Sequence, residues 1–269
     1  MPSPFDDDID TFAPHGYDFI KSSYIGLRID QYTEQRAHFE TLLPRIVDLS
    51  FDDYKLPPVA RVPLVDEEIV FEDSLISSLS KRRSVRGFNG QPCTLGQLSF
   101  LLKLAAGAKP GRKGVGRAQN RFFPSGGGLY TTRIYVDIRN VLGVKAGVYH
   151  FNPVTNSLDV INLEVSNQDR SRLHNGAQSG GVIGKSCFEI LISTKPYVAT
   201  KKYGDHGWRV ILMEIGHLTQ NLWLVAVACG LSGYPCSSLH PEIASKILRT
   251  ISSREFLLQS LIIGFEDFA

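Results

Sequence analysis

The chain has 269 residues, 43% hydrophobic and 21% charged, so it is long enough to bury a large core and too apolar to be wholly disordered. A net charge of +2 is too small to indicate a nucleic-acid partner. The four cysteines are scattered, with no C-x-x-C pair and no histidines at zinc spacing, which argues against a metal site and a disulfide scaffold. The acidic start, Met1 to Asp10, differs from a signal peptide, so we expect a cytoplasmic protein.

Residues 1–70 are predicted to form an N-terminal arm or helical extension. The segment is acidic at its start and rich in proline, with one helix expected near Asp30 to Asp48 and a linker at Leu56 to Val59. Secondary-structure signals become dense at Phe71. We therefore assign residues 71–269 to one domain.

Two helices are predicted at the start of this domain. Asp73 or Ser74 can cap a short helix that ends at the basic run beginning with Lys81. Thr94 and Gln97 have the spacing of a capping box for a second helix. An apolar stripe at helical spacing follows, and Gly107 is expected to end the helix. The stripe consists of Leu98, Leu101, Leu102 and Ala105.

The rest of the domain is predicted to mix strands and helices. Residues 108–121 are glycine-rich and basic and are interpreted as a mobile loop. A long helix is expected at 208–229, where polar interruptions favour a buried helix over a membrane span, and a shorter one at 241–248. Alternating and short apolar runs predict strands at 133–139, 147–151, 157–163, 188–193 and 257–264. The absence of regular β-α-β alternation favours an α+β fold.

Two segments have the composition of a cofactor site. Arg82, Arg83, Ser84 and Arg86 offer guanidinium forks and a hydroxyl suited to a phosphate dianion, although a solvated basic turn has the same pattern. Residues 124–130 contain three consecutive glycines, which would let the backbone approach a flat ligand closely. This segment lacks G-x-G-x-x-G spacing and precedes a strand, so it is no dinucleotide fingerprint, and a simple turn is the alternative.

Lys202 and Tyr203, just before the long helix, are a candidate acid/base pair. The ordinary pKa of both groups lies near 10, so burial and proximity would have to lower it for work at neutral pH. A surface loop with a tyrosine anchor is the alternative, and Lys201 leaves the identity of the lysine open. Glu214, His217 and Asn221 share one face of the long helix; we interpret them as satisfied polar groups at a helix interface rather than as a metal site.

In this order, the segments resemble the nitroreductase-like flavoproteins, and within them the SagB-type dehydrogenases, which oxidise thiazolines and oxazolines in ribosomally made peptides. The resemblance covers about Phe71 to Gly264. Thr131 and Arg133 depart from it, standing where the family often has Pro and Glu, and the chain ends without the basic C-terminal phosphate ligand of many nitroreductases. The matching elements are RRSVRGF at 82–88, PSGGGLY at 124–130, GVYHF at 147–151 with Leu158, KY at 202–203 with GWR at 207–209, MEIG at 213–216 with Gln220 and Asn221, and ACGL at 228–231.

The resemblance implies a nitroreductase-like α+β fold, with an antiparallel sheet flanked by helices, in an intertwined homodimer that holds FMN at its interface. It places Lys202 and Tyr203 as the catalytic base. It implies that the phosphate and ribityl chain are held by Arg82, Arg83, Ser84 and Arg86. The isoalloxazine would lie against Pro124, Ser125 and Gly126, with the backbone of Ser232 and Gly233 near the ring.

The implied function is oxidation of azoline rings to azoles in a modified precursor peptide, alone or within a cyclodehydratase complex. Three alternatives stay open: an NAD(P)H-dependent nitro or quinone reductase, a flavin enzyme that reduces dehydroalanine, and a non-catalytic scaffold subunit. The hairpin containing His150 and the Lys202-Tyr203 pair favour azoline oxidation, because simple reductases need no such base. Neither a membrane nor a nucleic acid is expected as a partner.

Overall fold

The computed structural model describes residues 60–67, 74–113, 119–174, 183–250 and 254–268. The helix predicted near Asp30 to Asp48, the linker at 56–59 and the alternative cap Asp73 lie outside these residues. The helices are α1 (Leu75–Lys81), α2 (Leu95–Ala106), α3 (Asn167–Leu173), α4 (Tyr197–Tyr203), α5 (His206–Ala228) and α6 (Pro241–Leu248). The strands are β1 (Arg61–Pro63), β2 (Ala108–Lys113), β3 (Gln119–Arg121), β4 (Thr132–Ile138), β5 (Gly147–Asn152), β6 (Ser157–Asn162), β7 (Phe188–Thr194), β8 (Ser232–Cys236) and β9 (Phe256–Gly264).

A seven-stranded sheet forms the centre of the domain, in the order β1-β6-β5-β4-β7-β9-β8. Every neighbouring pair in it is antiparallel. Helices cover both faces, because alternate residues of each strand point to opposite sides. Ile134, Val136 and Ile138 of β4 share a core with α2 and α5, whereas Tyr135 packs with α3 and α6. The predicted α+β architecture, an antiparallel sheet flanked by helices, is confirmed.

The five predicted strands and the four helices predicted within residues 71–269 are present, with bounds within two residues of those expected for the strands and the two later helices. Ser74 caps α1 by accepting the N–H of Ser77 at 3.2 Å. The capping box of α2 forms as predicted: the Thr94 hydroxyl accepts from the N–H of Gln97, and the Gln97 side chain accepts from the N–H of Thr94, both at 3.0 Å. Gly107 follows the last residue of α2, so the predictions for both ends of that helix are confirmed.

Replacing Thr94 with Ala is expected to lower the free energy of unfolding by about 1 kcal/mol, because the N–H of Gln97 loses its acceptor. Urea denaturation measures this difference. Thr94→Ser keeps the acceptor oxygen and should lie near the wild type; equal losses in the two variants would show that the methyl group, not the cap, matters.

The prediction of a mobile loop at 108–121 is wrong for the described part of that segment. β2 and β3 form an antiparallel ribbon, with Ala108 opposite Arg121 and Lys113 opposite Gln119. Ladder hydrogen bonds join backbone groups, so a sequence rich in glycine and basic residues can form them when the chain doubles back. The sequence also gave no signal for β1, which lies in the predicted arm and pairs with β6, or for α3, α4 and β8.

Among the described residues, α5 is the one helix with the length and mean hydropathy that a membrane span requires. It lies across the sheet and packs against α1, α2 and α4. Ile211, Ile215 and Leu218 are buried in the main core, and Glu214 is buried beside them. This is the environment of a central core helix, as the polar interruptions predicted.

Candidate functional site

Glu214 of α5 holds the glycine segment in place. One oxygen of its buried carboxyl accepts the Ser125 hydroxyl, and the other accepts the N–H of Thr132 at 3.0 Å. The Ser125 oxygen in turn accepts the N–H of Tyr130 at 2.8 Å. Burial raises the pKa of Glu214, although the bonds from Ser125 and Thr132 oppose this. Both hydrogen bonds of the Ser125 hydroxyl therefore stabilise the shape of the glycine segment. A ligand would contact the backbone at this residue rather than its hydroxyl.

The three polar residues predicted to share a face of α5 have different environments. Glu214 joins the helix to a loop rather than to another helix, which corrects the interpretation of that face. His217 is exposed, and the Asn221 amide donates to the carbonyl of Phe122 at 3.4 Å. Within the described residues, no group of three or more His, Cys, Asp or Glu could hold a metal ion.

Gly126, Gly127 and Gly128 form a tight turn, here called the glycine turn, that lies directly against Lys202 and Tyr203. Gly127 has φ of 65°, a left-handed conformation that glycine adopts without a steric penalty. A Cβ at Gly127 would overlap the Tyr203 hydroxyl and lie 2.6 Å from Lys202 Nζ, and a Cβ at Gly126 would overlap Val210. The backbone at Gly127 thus approaches both side chains as closely as a glycine allows.

Lys202 and Tyr203 end α4, and the sharp bend at Gly204, with φ of 57°, leads into α5. Lys202 Nζ lies 5.0 Å from the centre of the Tyr203 ring, whose edge-on neighbour is the His206 ring at 6.1 Å. Both side chains are half-buried, whereas Lys201 is exposed. Of the two lysines that the sequence left open, Lys202 is the one that reaches the glycine turn.

The arginine cluster, which consists of Arg82, Arg83 and Arg86, lies beside the start of β8. Ser84 forms a parallel bridge with Gly233, and the N–H of Val85 donates to the Gly233 carbonyl at 3.1 Å. A Cβ at Gly233 would overlap the carbonyl oxygen of Ile262, so this close pairing requires glycine. The arrangement brings Arg82, Arg83, Ser84 and Arg86 beside Ser232 and Gly233.

The three guanidinium groups differ in what they contact. Arg82 lies 4.4 Å from the centre of the Trp223 ring and Arg86 lies 5.2 Å from that of Tyr234, whereas Arg83 forms an ion pair with Glu266. Stacking holds a guanidinium in place while leaving its N–H fork free. Trp223 Nε1, buried beside Arg82, has no acceptor among the described residues. These donors fit the phosphate of FMN, with Arg82 and Arg86 better placed than Arg83.

Within one chain, the two groups of predicted site residues contact opposite halves of α5. Gly126 and the Lys-Tyr pair lie at Val210, near the start of the helix, and Arg82 lies at Trp223, near its end. A helix rises about 1.5 Å per residue, so these two positions are about 20 Å apart along the axis. The residues of each group were predicted from the sequence. Neither the distance between the two groups nor the contact between Arg82 and Trp223 has a signal in the sequence.

His150 of β5, the histidine of the predicted hairpin, is buried 5.2 Å from the Tyr135 ring. Burial lowers its pKa to about 3, and the positive charges of Arg133, Arg121 and Lys195 act in the same direction. The imidazole is therefore neutral at pH 7. It cannot supply a positive charge to chemistry at neutral pH.

This shift predicts acid sensitivity. Because the unfolded chain protonates His150 near pH 6.5 and the folded chain only near pH 3, stability contributed by the neutral form falls as pH drops through that window. At pH 5 the loss should be about 2 kcal/mol relative to pH 6.5. Urea denaturation of the wild type and His150→Phe at both values measures it. His217→Gln, which removes an exposed histidine, should keep the wild-type slope; a wild-type slope in His150→Phe would contradict the assignment.

Two relatives share recognisable sequence with the chain. A protein of Methanocaldococcus jannaschii that is named as a nitroreductase is 34% identical over 184 residues, which cover 68% of this chain and 86% of that protein. The microcin B17-processing protein McbC of Escherichia coli is 33% identical over 115 residues, which cover 41% of this chain and 42% of McbC.

Solved structures share the fold at lower identity. A nitroreductase structure from Ralstonia eutropha superposes with a TM-score of 0.62 at 21% identity, covering 80% of this chain and 96% of that one. A chain of the E. coli microcin synthetase McbBCD complex gives 0.59 at 23% identity, covering 83% and 94%. A nitroreductase in complex with FMN from Exiguobacterium sibiricum gives 0.52 at 13% identity, covering 74% and 91%.

The model of the nitroreductase family matches residues 79–265, the span that holds six of the seven strands of the sheet, α2, α5 and both groups of candidate site residues. That span is most of the chain, and the M. jannaschii relative matches over most of its own length. The chain therefore belongs to the nitroreductase family of oxidoreductases.

Proposed function

We propose that this protein is an FMN-dependent dehydrogenase that oxidises thiazoline or oxazoline rings to azoles in a ribosomally made peptide. The observation that carries the proposal is the position of Lys202 and Tyr203 against the glycine turn. A phenol and an ammonium held together there form a proton-transfer pair, which a simple hydride-transferring reductase does not need. The similarity to McbC, a protein that processes microcin B17, supports the same function.

In this reaction the Tyr203 oxygen would take the proton from the ring carbon next to C=N. Lys202, with Nζ 5.0 Å from the ring centre, would stabilise the phenolate that makes Tyr203 a base. FMN, when bound, would accept the hydride that leaves the neighbouring carbon. The azoline thus loses one proton and one hydride and becomes aromatic. Arg82, Arg86 and Ser84 would hold the cofactor phosphate, and Pro124 to Gly126 would lie against its ring system.

A homodimer would complete the site. One chain separates the arginine cluster from the glycine turn by about 20 Å along α5, so a second copy could supply the missing half of each site. An exposed apolar surface supports this: Leu75 and Ile76 of α1 are 67% and 76% exposed, and Leu212 and Met213 of the adjoining α5 are exposed as well. Sedimentation equilibrium tests it directly. Ile76→Asp should yield monomers that no longer bind FMN, and FMN-loaded monomers would contradict the shared site.

The alternative is an NAD(P)H-dependent reductase of nitro compounds or quinones. The M. jannaschii relative, which is named as a nitroreductase, matches more of this chain than McbC does. A visible absorption spectrum of the purified protein first shows whether flavin is bound. Two measurements then distinguish azoline oxidation from the reductase activity. Peptide-dependent loss of about 2 Da per ring, the mass of two hydrogens, supports azoline oxidation. NADPH consumption without peptide supports the reductase.

A modified precursor peptide is the proposed substrate, and a cyclodehydratase that makes its azolines is the proposed partner. A cyclodehydratase must act first, because it forms the ring that this enzyme would oxidise. Adding a cyclodehydratase to the purified protein and a linear precursor should yield azoles. Azole formation from the linear peptide without that enzyme would contradict this order.

A further inference from the structure

A polar cavity of about 370 Å³ lies on the α3 side of the domain. It is bounded by the end of β4, by α3 and by the turn at 183–185 before β7. None of its lining residues belongs to the arginine cluster, the glycine turn or the Lys-Tyr pair. The lining consists of Arg139, Ala146, Asn167, Arg170, Ser171, Ile183 and Gly184.

Arg139 is the most buried charged group of this cavity, with 8% of its side chain exposed. Its two terminal nitrogens donate to Ser186 at 2.8 Å and to Glu189 at 2.7 Å, and one also lies 3.1 Å from an oxygen of Asp137. Its Nε–H has no acceptor among the described residues. A buried donor without an acceptor is uncommon in folded proteins and marks a group that an additional oxygen would stabilise.

Arg170 provides a second guanidinium to the lining of the cavity. It binds Asp137 through Nε at 2.9 Å and through a terminal nitrogen at 2.8 Å, and its other terminal nitrogen donates to the Val165 carbonyl at 3.2 Å. Asp137 therefore joins both arginines and fixes their positions.

The positive and negative charges lie at different distances from the cavity. Asp137 and Glu189 are 2% and 0% exposed and do not line the cavity, whereas both arginines do. Two cations consequently lie nearer to the cavity than the carboxylates that balance them. We therefore expect a positive electrostatic potential in the cavity, because the nearer charges have the larger effect. Lys185, which follows Gly184, adds a further positive charge at this edge.

We propose that this cavity is a binding site for a compact oxyanion, a phosphate or carboxylate group, held by Arg139 and Arg170. A guanidinium N–H is a charge-assisted donor to either anion, and the Nε–H of Arg139 is the donor that no acceptor among the described residues occupies. Asn167 and Ser171 add an amide and a hydroxyl as further donors at the rim. The site is separate from the proposed FMN site and does not depend on it.

Gly184 allows the charge of the site to be changed without disturbing the arginine network. Apart from its two chain neighbours, no atom of the described residues lies within 4 Å of the position of a Cβ on Gly184, and its backbone is not left-handed. Gly184→Glu places a carboxylate at the cavity, and Gly184→Gln places a neutral side chain of the same size there. Their difference therefore reports charge rather than volume.

Isothermal titration calorimetry with inorganic phosphate and with acetate tests the proposal on the full chain. We expect binding by the wild type, about tenfold or more weaker binding in Gly184→Glu, and an affinity within about threefold of wild type in Gly184→Gln. Arg170→Gln should weaken binding, with Asp137 still paired to Arg139. Arg82→Gln, which alters the proposed FMN phosphate site, should leave it unchanged.

The two probes also identify the ligand class. Binding of phosphate alone indicates a phosphate-bearing ligand, and binding of both anions includes carboxylates; either result supports the site. No detectable binding of either anion would overturn the proposal. Equal affinity in Gly184→Glu and Gly184→Gln would overturn it too, as would loss of binding in Arg82→Gln.

Discussion

Replacing Tyr203 with Phe is expected to abolish azole formation while FMN stays bound. The variant removes only the hydroxyl, which lies against Gly127, and keeps the ring that packs beside His206. The proposed base is then absent, and loss of a positioned proton acceptor lowers a rate by about 100-fold to 10,000-fold. Arg82 contacts Trp223 near the other end of α5 and Arg86 contacts Tyr234 of β8, so the cofactor contacts assigned to these arginines should be unaffected.

Single-turnover mass spectrometry of the peptide measures the rate, and the visible spectrum reports bound flavin. The two adjacent lysines provide a matched pair: Lys202→Met should lose most activity because its ammonium adjoins the Tyr203 ring, and Lys201→Met, altered at an exposed position, should lose little. Full activity in Tyr203→Phe would remove the phenol from the mechanism. If Lys201→Met lost more activity than Lys202→Met, the lysine would be misassigned.

The parts of the fold that the sequence predicted well have local signals. The capping box of α2 and the long apolar span of α5 are read from residues close together in the chain. The central strands β4 and β7 are buried along most or all of their length and are apolar enough to stand out. In these elements, intrinsic preference and tertiary environment favour the same structure.

The missed elements are those in which tertiary contacts outweigh local preference. β8 contains glycine and proline, Gly233 and Pro235, which are unfavourable in a strand. It lies at the edge of the sheet, where proline is tolerated because a missing N–H there need not break a ladder. α4 has no side-chain cap at Pro196, so nothing local marked its start, and its stability comes from packing against α5.

The same distinction applies to the candidate site. The residues within each segment were predicted, because a cluster of arginines or glycines is visible in the sequence. Their arrangement was not, since Ser125 meets Glu214 and Gly127 meets Tyr203 only after the chain has passed through four strands of the sheet, β4 to β7. A buried carboxyl on an apolar helix predicts some polar partner, but not that the partner is the glycine segment.

Gly127 offers the sharpest test of that arrangement. Alanine at this position would adopt φ near 65° and would overlap the Tyr203 hydroxyl and approach Lys202 Nζ. The left-handed conformation costs about 1–2 kcal/mol of stability. The overlap must also displace the pair, and a shift of about 1 Å in a reacting group can lower a rate by about 100-fold. We therefore expect Gly127→Ala to lose most azoline oxidation, with only a modest loss in the free energy of unfolding.

Gly128 is the matched control, because it has the same φ of 65° but, in the described part of the chain beyond its two neighbours, no atom within 4 Å of a Cβ. Gly128→Ala should show the same loss of unfolding free energy in urea and keep most of its rate. The difference between the two variants isolates the contact with Lys202 and Tyr203 from the strain that they share. If both variants lost activity equally, the shape of the turn would control the reaction. Lys202 and Tyr203 would then have no demonstrated place beside the substrate, and the result would favour the NAD(P)H-dependent reductase.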